Sequence, residues 1–283
     1  METRELRYFL AVAEELHIGR AAQRLGMAQP PLSRAIQRLE RRLGVTLLER
    51  TGRGVQLTDA GAVLRDEGRA ALDAVHAAER RTRRAAPAPV TSRPAVVLVT
   101  KAGASSELLA KLLEAYAAEP DSAEVEVLLC GIGEQESMLR DGQADVALLH
   151  RPFDSGVGFD TEDLRSEGQM LLLPAGHPLS SCESLRTADV DAIADPPPAR
   201  WPTAVGHYPE GPGPQVRDLT QLLQLVALGR AWTMLPESVR ADLRSDVVGV
   251  PVVDAPTVTT MIAWPPQSRS RALAALVRVA TAL

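Results

Sequence analysis

The sequence predicts an α+β chain of two domains: a small winged helix-turn-helix head continued by one long linker helix, then a larger two-lobed α/β body. Three observations predict it. Apolar residues recur every three to four positions in three short N-terminal segments and again through 58–85, the period of buried helix faces. Between these stretches, "VTLLERTGRGVQLT" holds two short alternating runs around a glycine-flanked turn, the pattern of a β-hairpin. Beyond residue 94, short apolar runs alternate with amphipathic ones in a βαβ rhythm, which predicts a parallel sheet.

The first predicted helix carries Leu6, Phe9, Leu10 and Ala13 on one face and closes near Leu16. The second, residues 19–25, turns Ala21, Ala22 and Leu25 inward, and Gly26 ends it through a left-handed conformation. Pro30 and Pro31 open the third, where a missing backbone donor costs little. Its apolar stripe is Leu32, Ile36, Leu39 and Leu43; Ser33, Arg34, Gln37, Arg38 and Arg41 fall on the other face. Helices two and three make a helix-turn-helix, whose second helix offers its N-terminal half to a DNA major groove. Arg53 sits between glycines at the hairpin tip, a shape that enters a minor groove. Thr58 caps the helix 58–85, about 40 Å long at 1.5 Å per residue. Its narrow stripe of Leu64, Ala71, Leu72, Val75 and Ala78 is too long to bury within so small a head, so a second copy of the helix is the expected partner.

Charge divides the chain at the same place. Residues 1–86 hold 16 Arg against 11 Asp and Glu, a net of +5; the remainder carries −10. Only the head is suited to a polyanion. No uncharged apolar run reaches the length of a membrane span, and "METRELRYFL" lacks the core of a signal peptide, so a soluble, cytoplasmic chain without membrane attachment is expected. Cys130 and Cys182 match no metal-ligand spacing, and no metal or cofactor is expected. Enzyme chemistry is not expected either: GxSxG, P-loop, HExxH and paired-cysteine motifs are all missing from the sequence, and its five histidines stand in unrelated contexts.

The stretch "LRYFLAVAEELHIGRAAQRLGMAQPPLSRAIQRLERRLGVTLLERTGRGVQLTDAG" resembles the head and linker helix of LysR-type transcriptional regulators. The resemblance implies a double-stranded DNA operator as partner and an assembly of two or four copies. Position by position, it implies that Gln29, Pro31, Ser33 and Arg34 approach bases, that Gln37 and Arg38 lie near the backbone, and that Arg53 forms the wing; Arg20 and Pro30 complete the DNA-binding set. In "HIGRAA" the chain departs from the pattern, because Gly19 offers no hydroxyl to cap helix two or to meet a phosphate.

The proline-punctuated "RRAAPAPVTSRP" separates linker from body. Strands are expected at 95–100, 124–130 and 144–149, and helices at 105–118 and 133–141. "GQMLLLPAGHPL" opens a second unit, followed by a helix at 214–229, a strand in "RAWTMLP", and a last strand and helix that complete two lobes. The divisions are thus 1–57, 58–86 and 90–283. The body resembles the effector-binding domain of the same family, itself similar to periplasmic binding proteins, most clearly in "ADVALL", "LLLPAGHPL" and "VALGRAWTMLP".

Ligands of open α/β sheets bind at the carboxyl ends of strands. Those ends supply Lys101, Ala102, Gly103, Ser105 and Ser106, then Gly131 and Ile132, then His150, Arg151 and Phe153. A helix N-terminus at Ser105 and Ser106 favours an anion, although both serines read equally as caps. Arg151 reads as an anchor or as a solvated rim charge. Together with the basic pair His150 and Arg151, this favours an organic carboxylate as effector. The resemblance places Ile132 where relatives carry a hydroxyl, which favours an apolar remainder. The competing reading is an effector-independent regulator whose body serves oligomerisation.

Overall fold

The computed structural model describes residues 1–52, 54–85, 95–120, 122–203 and 207–283. The chain divides into two compact units at residues 86 and 87.

In the head, helices α1 (Thr3–Glu15), α2 (Ile18–Arg24) and α3 (Gln29–Leu43) precede an antiparallel hairpin of β1 (Leu48–Thr51) and β2 (Gly54–Leu57) and the long helix α4 (Asp59–Ala85). Phe9 and Val12 of α1, Ala21 of α2 and Leu32, Ile36 and Leu39 of α3 meet in one core, closed from the hairpin side by Leu47 and Val55. The alanines of α2 are fully buried, so α1 and α3 approach α2 closely. Leu43 departs from the expected stripe, being 41% exposed. It is the last residue of α3, and the chain turns away at Gly44, whose φ of 72° suits a residue without Cβ. Ala35 is buried on α3 in addition.

The hairpin is fixed at its base. Glu40 Oε1 accepts from the amides of Leu47 (2.8 Å) and Leu48 (3.2 Å), and Thr58 Oγ1 donates to Thr46 O while accepting from Gly61 N at 3.0 Å, the expected cap of α4. Part of the α4 stripe is spent inside the head, contrary to expectation. Leu64 and Leu72 pack into its core, and Gly68 lies so near α1 that a Cβ there would come within 2.5 Å of Leu6 Cδ1. Val63, Ala71, Ala74, Val75 and Ala78 stay exposed.

The body runs β3 (Ala95–Lys101), α5 (Ser106–Ala117), β4 (Glu124–Cys130), α6 (Gln135–Arg140), β5 (Val146–Arg151), β6 (Asp160–Glu167), β7 (Gln169–Pro174), α7 (Thr187–Asp191), α8 (Leu219–Ala227), β8 (Thr233–Pro236), β9 (Val247–Val252), β10 (Val258–Trp264) and α9 (Arg271–Ala280). The first lobe holds a sheet in the order β4-β3-β5-β10-β6, the second a sheet β8-β7-β9. Only β3, β4 and β5 are parallel; β10 runs antiparallel to β5 and β6, and the second sheet is antiparallel throughout. The three strands read in βαβ rhythm are parallel as expected, and the added β10 and β6 make the first sheet mixed. The last strand returns from the second lobe to the first, and enters its sheet from the opposite end.

Alternation along β3 and β5 fills both faces of the first sheet. Val96, Leu98, Val146 and Leu148 face Leu112 of α5 and Leu276 of α9, whereas Val97, Val99, Ala147 and Leu149 face Leu139 of α6. In the second lobe Met170 and Leu172 pack on α8, and Leu171 and Leu173 on Val190 of α7. The chain crosses between lobes twice, after β6 and after β9. Gln169 Nε2 ties the two crossings together by donating to Pro256 O at 2.8 Å, and Glu167 accepts from Ser238 N at 2.6 Å. The helix expected from residue 214 starts only at Leu219, where the Asp218 side chain caps it through Gln221 N.

Candidate nucleic-acid interface and effector cleft

The turn from α2 into α3 leaves Gln29, Pro30, Arg34, Gln37 and Arg38 exposed, with Pro31 and Ser33 half-buried among them. Arg34, Gln37 and Arg38 lie on the side of α3 opposite Leu32, Ile36 and Leu39, whereas Gln29 stands in its first turn, beside Gly19 of α2. Among the described residues neither Arg34 nor Arg38 has a hydrogen-bonding or ionic partner, so both guanidinium groups are available to an incoming polyanion. Arg42, one turn on, is spent: it donates to Glu5 at 2.7 Å and holds that carboxyl below the usual range. Arg20 is also engaged, its Nη2 donating to Glu15 O at 2.6 Å and its Nε lying 3.5 Å from the Glu15 carboxylate. Arg53 lies outside the described residues, although the hairpin that carries it is formed as expected.

Helix α2 has a cap that the sequence reading did not find. His17 precedes it, and its ring Nδ1 accepts from Gly19 N (3.1 Å) and Arg20 N (3.3 Å). The signal was present in the His-x-Gly spacing, where a ring acceptor stands two residues before a position without side chain.

In the body, the carboxyl ends of β3 and β5 bring Lys101, Ser105, His150 and Phe153 together beside the second lobe. Ser105 occupies the N-cap position of α5 with a φ of 54°, yet its side chain makes no cap bond. Its Oγ lies 2.8 Å from His150 Nε2 instead. Ser106 Oγ lies 3.5 Å from Asp242 Oδ2, and Gly103 lies against Leu219 at the start of α8, both in the second lobe. The loops holding Ala102 and Gly131 are joined by Ala102 N to Cys130 O at 3.0 Å, and Gly131 N donates to Glu134 at 2.7 Å. Ile132 is half-buried beside them.

His150 and Arg151 do not form the basic pair expected. Neighbouring strand residues point to opposite faces, and the two side chains part accordingly. His150 is buried, and burial first and Lys101 second push its pKa down to about 3, so it is uncharged at neutral pH. Arg151 pairs with Asp163 of β6 at 3.1 Å. The charge at the cleft floor belongs to Lys101, whose Nζ is 3.0 Å from Asp154 Oδ2 and 5.8 Å from the centre of the Phe153 ring. Asp154 also accepts from His150 N at 2.7 Å. It went unnoticed in the sequence because nothing local distinguishes it from a loop aspartate. Phe153 itself is 56% exposed, an aromatic face open beside the cation. Among the described residues, Thr100 Oγ1 and His150 Nδ1 at the same strand ends are buried polar atoms without a hydrogen-bond partner, the latter 3.9 Å from Asp154 Oδ2. Burial also pushes the Cys130 thiol up to about 12, which leaves it protonated and unreactive.

This arrangement offers neutral donors, the first-turn amides of α5 and one internally paired cation. Among the described residues, no helix is long and apolar enough to cross a membrane.

Two family models match the chain: "Bacterial regulatory helix-turn-helix protein, lysR family" over residues 3–62, and "LysR substrate binding domain" over residues 91–283. The HTH-type transcriptional regulator AlsR of Bacillus subtilis is 34% identical over 262 residues, covering 87% of this chain and 84% of its own. BudR of Raoultella terrigena, another HTH-type transcriptional regulator, is 30% identical over 286 residues, with 96% and 97% covered. Among solved structures, full-length CbnR complexed with its target DNA superposes with a TM-score of 0.53 at 27% identity, over 99% of this chain and 98% of that one.

Proposed function

The chain belongs to the LysR family of bacterial transcriptional regulators, a DNA-binding regulator with an effector-binding domain, and from that premise we propose how its residues divide the work. Residues 1–57 bind the operator, 58–86 link and dimerise, and 90–283 sense a small molecule. Helix α3 enters the major groove. Gln29, Pro30, Pro31, Ser33 and Arg34 approach base edges, Gln37 and Arg38 follow the phosphates, Arg20 reaches the DNA only by leaving Glu15, and Arg53 enters the minor groove. The observation that carries this reading is the unspent pair Arg34 and Arg38 on a face whose reverse side is fully packed.

The dimer is proposed to form along α4. Its exposed strip of Val63, Ala71, Ala74, Val75 and Ala78 is small and apolar, as close helix pairing requires. Val75, 37% exposed, stands at its margin, and Val75→Asp is expected to shift the oligomer toward smaller species by placing a charge from each copy in the seam. Light scattering of the full chain reads this directly; an unchanged mass would remove Val75 from the interface.

The effector is proposed to be an organic carboxylate held between the lobes by the α5 amides, Ser105, Ser106 and Lys101, with Ala102, Gly103, Gly131, Ile132, His150 and Phe153 lining the remainder. The helix supplies donors and a favourable dipole, and Phe153 with Ile132 suits an apolar remainder. Arg151, held by Asp163, serves the rim. Binding that favours one lobe arrangement then shifts the population presented to DNA. A thermal-shift panel of aliphatic and aromatic carboxylates tests this. A true ligand raises the melting temperature of wild type and of Arg151→Ala alike, and loses its effect in Ser106→Ala. If every carboxylate leaves wild type unmoved, the effector-independent reading replaces this one. Intracellular action in the cytoplasm follows from the DNA partner.

A further inference from the structure

We propose that His150 is a positioning residue for effector binding: by holding the Ser105 hydroxyl it keeps that serine from capping α5, and so leaves the first-turn amides of the helix open to the anionic group of the effector. The inference rests on the reading of the α5 N-terminus as the carboxylate site.

A helix begins with amides that have no partner within it, and a serine at the N-cap is the usual remedy. Helix α5 has that serine and does not use it. A capping serine stands in extended backbone, whereas Ser105 has φ 54° and ψ 29°, a left-handed conformation that is unfavourable for a residue with a Cβ. Its Oγ lies 2.8 Å from His150 Nε2. Two other ways of closing the turn are missing as well. Position 108, where a capping box needs a glutamate or glutamine, holds Leu108. The Glu107 carboxylate is turned along the helix and accepts from Lys111 at 2.8 Å.

The backbone of His150 is fixed on three sides. Its amide donates to Asp154 at 2.7 Å, its carbonyl accepts from Phe153 N and Asp154 N at 2.9 Å each, and it pairs with Thr260 of β10. The ring is buried, so its bond to Ser105 forms where little water competes for either partner. Thr100 is an independent sign that a polar group belongs at this strand end. It continues the Val96 and Leu98 face of β3 toward α5, as His150 continues the Val146 and Leu148 face of β5. Thr100 is 1% exposed, and among the described residues its Oγ1 has no hydrogen-bond partner. A desolvated hydroxyl left unpaired is unfavourable, and a bound polar group relieves it.

The test follows amide hydrogen exchange in the first turn of α5, Ser106 to Leu108, in the full chain without added carboxylate, read by mass spectrometry of overlapping peptides. In wild type these amides are expected to exchange as unbonded groups. His150→Phe frees the hydroxyl, Ser105 returns to extended backbone and caps the helix, and exchange slows by about two- to thirtyfold, the range an N-cap supplies. His150→Gln keeps a hydrogen-bonding group at the reach of Nε2 and stays fast. His150→Phe combined with Ser105→Ala has no hydroxyl to cap with and is fast again, a reversal that general tightening of the fold would not produce. First-turn amides already slow in wild type, or as fast in His150→Phe as in wild type, overturn the proposal. If His150→Phe does not fold, His150→Leu takes its place with the same expectation. Thermal shift with propionate and benzoate reads the consequence for binding. Whichever acid stabilises wild type is expected to lose that effect in His150→Phe, and an undiminished shift there also overturns the proposal. Failure of both acids on wild type counts against the carboxylate reading, whereas the exchange pattern, measured without them, decides the role of His150.

Discussion

Replacing Arg34 with alanine is expected to cost about five- to 150-fold in operator affinity, the worth of one bidentate base contact, and to relax the preference at one base position. Folding should be untouched. Arg34 is exposed on α3 between the buried Leu32 and Ala35 and has no partner to lose, so the helix keeps its packing and its solubility. Arg42→Ala is the contrasting change. Its guanidinium is bound to Glu5, so its loss acts on the α1–α3 contact and leaves sequence preference alone. Footprints over a set of single-base operator variants distinguish the two. If Arg34→Ala weakens all duplexes equally, the residue contacts phosphate, and the base-reading role passes to Gln29 or Ser33.

The head was legible because its signals are local. Each helix declares a face by spacing, α2 and α3 are followed by glycines, Gly26 and Gly44, in the left-handed region, and Thr58 caps α4 as expected. What escaped was the division of α4 between two duties. Leu64 and Leu72 look the same in sequence as Val63 and Val75, and only the approach of α1 to Gly68 decides which of them are covered. In the body the first three strands and the intervening helices were legible as apolar runs. The polar edge strand β6, "DTEDLRSE", carries no apolar alternation, and β9 is interrupted by Gly249 and Pro251. The return of β10 to the first lobe is a fact of topology, which no local pattern records.

The cleft was legible in outline and misjudged in charge. Strand ends named Lys101, Ser105 and His150, and these do come together. Two basic residues in succession suggested a single positive patch, but strand geometry sends one inward and one toward β6. The inward one is then uncharged because burial and Lys101 both oppose its proton. Countercharge lies four residues farther on, at Asp154, where the loop after β5 folds back to the strand end and meets both Lys101 and the amide of His150.

That meeting gives the second large effect. Asp154→Ala is expected to destabilise the body by about 3–5 kcal/mol, the usual result of removing one partner from a buried pair. The side chain of Lys101 is only 13% exposed and that of Asp154 5%, so the remaining ammonium would have little water to turn to. The amide of His150 loses its 2.7 Å acceptor at the same time. Restoring neutrality should recover much of the loss: in Lys101→Met with Asp154→Ala no charge is left unpaired, and an apolar side chain of similar length fills the space over Phe153. Denaturant unfolding followed by tryptophan fluorescence is the suitable measurement, since Trp201, Trp232 and Trp264 all lie in the body and none in the head. A double variant as unstable as Asp154→Ala alone would show that the aspartate acts through the His150 amide and the loop, and that the ion pair with Lys101 contributes little. A double variant close to wild type would fix the pair as the charge balance of the cleft floor, and an anionic effector that reaches Lys101 must then compete with Asp154 for it.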